Sequence, residues 1–239
     1  MVAKTKPRTT RPKHLLAIAT LAALCFNNWL LGPWLNHRLF AHNGSVSEFS
    51  AVDQPHYAIF RTLDVFSGLL FILLAILLAQ YISLTDKWRR VLLWSLAILG
   101  AANFMDALFT LHCSETLDVG CRIPVIISWH RLQLPDHAYS SVIISISYLT
   151  LPLSAWFYAR ARELRLLTAL SALAVLAAVA TFISAISEYL SDKSFTVRTS
   201  GAGQEAQMLL LGVWFICLAW DITSGGAKNP SGEDKLPAA

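Results

Sequence analysis

Five ionisable side chains stand inside or at the edge of long apolar runs: Arg61, Asp64, Asp106, His137 and Glu188. Charged groups at that depth are costly, and they usually face a bundle interior or a cavity. Their types define the chemistry on offer. Arginine presents a fork of donors to an anion. A carboxylate in such surroundings takes a hydroxyl, a cation or a proton. Zinc asks for three or four nitrogen, oxygen or sulfur ligands, and His137 with Asp64, Asp106 or Glu188 supplies the right atom types. No HxxxH or HExxH pair occurs on any helix, however, so no metal site is expected.

Spacing sorts these residues onto faces. Arg61, Asp64 and Gly68 share one helical line, as do Asn103, Asp106, Thr110 and Cys113. His137, Ser141 and Tyr148 form a third, and Thr181, Ser184 and Glu188 a fourth. Asp64 and Asp106 both lie about 10 Å below the same end of their helices by helical rise. Taken singly, most of these residues have plain structural readings. Arg61 can snorkel to the interface, or neutralise Asp64 at i, i+3. Serine and threonine can hold helices together. Asp106 is the exception, being deep with no opposite charge on its own helix. The expectation is that Asp106 pairs with Arg61 across helices, and that four polar lines meet at one end of a bundle. His112, six residues past Asp106, points elsewhere.

The elements that must carry these lines are membrane spans. Hydrophobic residues make up 55% of the 239 residues and charged residues 14%, with a mean hydropathy of +0.52. Six runs reach the ~20 apolar residues that cross a hydrocarbon core, at roughly 14–35, 57–84, 91–113, 138–158, 165–190 and 206–222. The fold class expected is therefore all-α, a polytopic bundle of six transmembrane helices in one domain over 14–222. A basic tail precedes it at 1–13, and a Gly-, Pro- and Ser-rich tail follows at 223–239. Leu24 before Cys25 argues against a lipoprotein cleavage site, and the apolar run continues past it. Although the net charge is +4, the cations cluster between apolar runs, and nucleic acid is not an expected partner.

Lysine and arginine orient the bundle. Lys4, Lys6, Arg8, Arg11, Lys13, Lys87, Arg89, Arg90, Arg160, Arg162, Arg165, Lys228 and Lys235 fall on one side. Arg38, Arg122, Arg131, Lys193 and Arg198 fall on the other, over longer loops. Both termini are thus expected in the cytoplasm. Cys113 and Cys121 then face out, separated by SETLDVG, and a structural disulfide between them is expected. Cys25 and Cys217 read as buried small hydrophobes.

The order of these residues resembles a family of bacterial six-helix membrane proteins catalogued as domain of unknown function nine-nine-eight. The resemblance covers about residues 14–222. It is carried by SVSEFSAVDQPHYAIFRTLDVFSGLL, with Ser47, Glu48, Arg61, Asp64 and Gly68, and by DALFTLHCSETLDVGC and SWHRLQLPDHAYSS. It implies a multi-pass protein of a bacterial plasma membrane and no established activity. Three functions stay open. The first is handling of a membrane lipid or other amphiphile, with Arg61 meeting an anion and Asp64, Asp106 or Glu188 meeting hydroxyls, a cation or a proton. The second is a metal-dependent lipid hydrolase, and the third a structural or assembly subunit. With no GxxxxGK[ST], GxGxxG after a strand or GxSxG, no recognised catalytic motif or cofactor pattern is present.

The orientation is tested in whole cells. A cysteine placed in the 85–90 connection is expected to stay unmodified by a membrane-impermeant thiol reagent, and modification would overturn the topology.

Overall fold

The computed structural model describes residues 13–81, 87–109, 111–118, 120–121, 126–128, 131–133, 136–192 and 201–223. Helix α1 (Lys13–Phe26) is followed by a 3-10 turn at Asn28–Leu31 and the short helices α2 (Gly32–Leu35) and α3 (His37–Ala41). A second 3-10 turn, Val46–Ser50, leads to α4 (Tyr57–Leu78) and α5 (Lys87–Leu108). A hairpin of β1 (Ile126–Ser128) and β2 (Arg131–Gln133) precedes α6 (Asp136–Arg160), α7 (Arg165–Asp192) and α8 (Gly201–Thr223). Among the described residues five helices are long and apolar enough to cross a membrane, and α1 with its continuation makes six if the bent pair is one span.

That first span differs from the single helix expected over 14–35. It bends by 57° between Lys13–Phe26 and Asn28–Leu35. The cause is the pair Asn27–Asn28, whose short amide side chains compete for backbone groups. Asn27 Nδ2 donates to the Ala23 carbonyl at 2.9 Å, and its Oδ1 accepts from Trp29 Nε1 at 3.1 Å. The 3-10 turn takes over there, and Pro33 enters the first turn of α2, where its missing N–H costs nothing.

The other spans hold, with shifted ends. Two end early: α4, expected to reach 84, stops at Leu78, and α5, expected to reach Cys113, stops at Leu108. Beyond it the chain joins a loop, where the Leu111 carbonyl accepts from Val52 N–H at 3.0 Å.

The six spans pack in chain order as a ring. α1 neighbours α4, α4 neighbours α5, then α6, α7 and α8 follow, and α8 closes on α1. The ring's middle is filled by aromatic side chains from four of its members. Phe26 lies edge-on to Phe71, Tyr148 and Phe215, with centroids 5.4, 6.0 and 6.2 Å away, and Phe71 and Phe215 are 4.5 Å apart. Tightest of all is the α4–α5 contact. A Cβ on Gly68 would stand 2.7 Å from the Gly100 carbonyl oxygen, and one on Gly100 would stand 2.7 Å from that of Gly68. Only paired glycines let two backbones approach this closely, the usual device of spans that lack a hydrophobic drive between helices.

Chain order and alternation give the ring two unlike ends. One carries Lys87, Arg89, Arg90, Arg160, Arg162 and Arg165, and is called here the basic end. The other carries the long loop 36–56 and the Cys113–Cys121 segment, and is called the cysteine-pair end.

Candidate functional site: a polar cluster at the cysteine-pair end

The polar lines of α4, α5 and α6 meet near the cysteine-pair end, joined by the break in the first span. Asn28 sits in that break and is 3% exposed. Its Nδ2 donates to Asp64 Oδ1 at 2.6 Å and lies 3.3 Å from the Phe60 carbonyl. Asn103 on α5 donates to the Asp64 backbone carbonyl at 3.1 Å and also to Ser67 Oγ. Ser67 in turn donates to the same Asp64 carbonyl at 3.0 Å. One carboxylate, two amides and a hydroxyl thus tie three consecutive neighbours of the ring together.

A second group surrounds Asp106. Its Oδ1 accepts from Ser140 Oγ at 2.5 Å and Ser141 Oγ at 3.4 Å. His137 Nδ1 stands 3.2 Å from the same oxygen without the alignment of a hydrogen bond, and His137 Nε2 is 3.3 Å from Ser141 Oγ. The contact between ring and carboxylate is therefore electrostatic. His137 and Asp106 keep 12% and 18% of their side-chain surface open. Asp64 and Asp106 are close enough to act on each other electrostatically, and both act on buried Tyr148.

The expected Asp106–Arg61 pair is not formed. Arg61 Nη2 instead lies 3.4 Å from the Leu108 carbonyl. The reason is the early end of α5, because the last carbonyls of a helix lack an intrahelical donor and arginine readily serves them. Nor does Arg61 neutralise Asp64, whose carboxylate is met by Asn28. On α7, Ser184 is exposed and Thr181 donates to its own Ala177 carbonyl at 3.0 Å, so neither joins the cluster. Glu188 belongs to α7, and its side chain lies outside the described residues, as does Thr110. His112 is exposed and lies beyond the end of α5, so its position on a helical face does not apply. Among the described residues no three His, Cys, Asp or Glu side chains converge as metal ligands.

Sequence reasoning passed over the cap of this end. Glu48 is 5% exposed, and no cation meets it among the described residues. Its Oε1 accepts from Ser45 N–H at 3.2 Å, Ser45 Oγ at 3.0 Å and Thr116 Oγ1 at 2.9 Å. Its Oε2 accepts from Thr116 N–H at 3.0 Å and from Ser114 Oγ. The carboxylate thereby joins the first loop to the Cys113–Cys121 segment, whose cysteines are at disulfide distance with Cα atoms 5.9 Å apart. A signal for half of this was present: Ser45-x-x-Glu48 has the spacing at which a glutamate reaches back to the N–H of a helix cap. The start of α8 is tied in as well. Val46 N–H donates to Gln204 Oε1 at 2.8 Å, and Gly201 N–H to the Asn43 carbonyl at 3.0 Å.

These features define a polytopic helical membrane protein with a polar cluster among its spans at the capped end of the ring. The family model described as "Protein of unknown function (DUF998)" matches residues 17–221, and the chain belongs to that family. No curated protein and no solved structure matches it.

Replacing a buried acceptor strands its donors, at about 1–3 kcal/mol for the group. Glu48→Gln puts an amide among five donors and is expected to lower the melting temperature of the detergent-solubilised protein clearly. Ser47→Ala, a neighbour on the same turn, is expected to change it little. Equal melting of wild type and Glu48→Gln would show that the cap does not depend on the carboxylate.

Proposed function

We propose that this is a lipid-handling membrane protein whose Asp106–His137 cluster receives the headgroup of an amphiphile at the seam of α5 and α6. The observation that carries this reading is the partial opening of Asp106 and His137 amid exposed apolar side chains. Met105, Leu108, Phe109, Tyr139 and Val142 flank them and are each 40–49% exposed. A polar, hydrogen-bonding patch bordered by apolar surface suits a molecule with a polar head and a hydrocarbon body. Asp106 Oδ1 already accepts from hydroxyls, so a headgroup hydroxyl or ammonium can replace Ser141, its longest contact. Arg61, unpaired with Asp106, supplies a cation for a headgroup phosphate. The orientation argued from the basic residues puts this end on the outer face of the membrane.

A serine-dependent hydrolase is the second reading, because Ser141, His137 and Asp106 touch in the order of a nucleophile, a base and its orienting acid. A working relay has the acid and the hydroxyl on opposite ring edges. Here Ser141 Oγ also lies 3.4 Å from Asp106 Oδ1, so the three close into a triangle. That arrangement favours binding over proton relay.

Vesicles containing a photoactivatable phosphatidylethanolamine test the first reading. Crosslinks are expected at residues 105–109 and 139–142, and Asp106→Asn is expected to reduce them severalfold. A probe with the same chains and a methyl-capped glycerol, with neither hydroxyl nor phosphate, is expected to label these positions weakly. Equal labelling by both probes, unaffected by Asp106→Asn, would remove the headgroup from the account. Covalent labelling of Ser141 by a fluorophosphonate would favour the hydrolase instead.

A further inference from the structure

The basic end holds a second lipid-facing feature with no part in the polar cluster. Lys87, Arg90, Val91, Trp94 and Ser95 recur at i, i+3, i+4, i+7 and i+8 along α5 and line one shallow, open groove on that helix's face. Its mouth is cationic and its wall apolar. Trp94 is 68% exposed and Val91 40%, while Ser95 is buried at the base. By helical rise, Lys87 and Trp94 are about 10 Å apart along the axis, the span from a headgroup to the upper part of an acyl chain.

The cation at the mouth is positioned. Lys87 Nζ lies 4.9 Å from the centroid of the Trp88 ring, and Trp88 stacks on Phe157 of α6 with centroids 4.1 Å apart and planes 12° from parallel. Three of the arginines at this end lean on rings. Arg89 and Arg162 both lie over Tyr158, at 5.6 and 4.9 Å, and Arg160 lies 5.2 Å over Trp156. Among the described residues neither Lys87 nor Arg90 forms an ion pair with a carboxylate.

We propose that this groove seats an anionic diacyl phospholipid. Its phosphate lies between Lys87 and Arg90, its glycerol region reaches towards Ser95, and a chain runs against Val91 and Trp94. Charge complementarity selects this occupant. A zwitterionic lipid carries an ammonium of its own, which the two cations repel. A purely apolar partner would leave both cations with nothing to neutralise.

Native mass spectrometry of the full chain in detergent tests this, with titration by phosphatidylglycerol and by phosphatidylcholine of the same chains. A cation near an anionic lipid contributes roughly fivefold in affinity, so two give a preference for phosphatidylglycerol on the order of tenfold to thirtyfold. Lys87→Gln/Arg90→Gln is expected to bring the ratio near one with the melting temperature unchanged. Trp94→Ala is expected to weaken both lipids and keep the ratio. Arg165→Gln, outside the groove, is expected to leave everything as it was. Should the double substitution not fold, Arg90→Gln alone is expected to cut the ratio about fivefold. A ratio unchanged in these variants, or a protein dimer that Trp94→Ala dissolves without any lipid dependence, would overturn the proposal.

Discussion

Hydrocarbon offers no hydrogen bond, so each polar group carried into the spans must find its partner inside the protein. That constraint explains how the ring is joined where it is polar. The Asn27–Asn28 break exposes backbone groups at depth, and the same two side chains supply donors close by, to the Ala23 carbonyl and towards that of Phe60. Asn28 then has a second use, since it meets Asp64 on the neighbouring helix. A kink that would be a liability alone becomes the joint between α1 and α4. Likewise the last carbonyl of α5 is met by Arg61 from α4, and Asp106 by hydroxyls from α6.

The same logic extends into the cap. Glu48 is as buried as a core residue, yet its two oxygens receive five donors from two loops. A charge so held stabilises one arrangement of loops 36–56 and 111–121 over any other, because every alternative leaves donors or the carboxylate unmet. Asp53 adds to it by accepting from Ser114 N–H at 3.2 Å. The cysteine pair closes the second loop on itself beside this clamp. The polar cluster and this clamp lie at the same end of the ring, and Asp106 and His137 stay partly open there.

The spans themselves were legible because long apolar runs leave few other structures. What escaped the sequence was contact across helices. The apolar run continues on both sides of Asn27–Asn28, so nothing in hydropathy alone marks a bend there. Asp106 needs a partner, and Arg61 is the nearest long cation in the sequence. A helix boundary decides otherwise: once α5 stops at Leu108, a bare carbonyl competes for Arg61, while Ser140 of α6 comes within reach of Asp106. Glu48 looked like a loop residue because its burial comes from a second loop more than sixty positions away. Asp64, Asp106 and His137 were placed in one region from helical spacing, and they do lie together. Side chains with only local partners, such as Thr181, share that periodicity without joining the cluster.

At the cysteine-pair end Asp106 is coupled to His137 of α6 and not to Arg61 of α4. Two double-mutant cycles on the detergent-solubilised protein measure this directly. Contacting residues show interaction energies of about 0.5–3 kcal/mol, and distant ones add. Asp106→Ala with His137→Ala should lose less stability together than the sum of the singles, while Asp106→Ala with Arg61→Ala should be additive. The reverse pattern, additive with His137 and coupled with Arg61, would contradict the account.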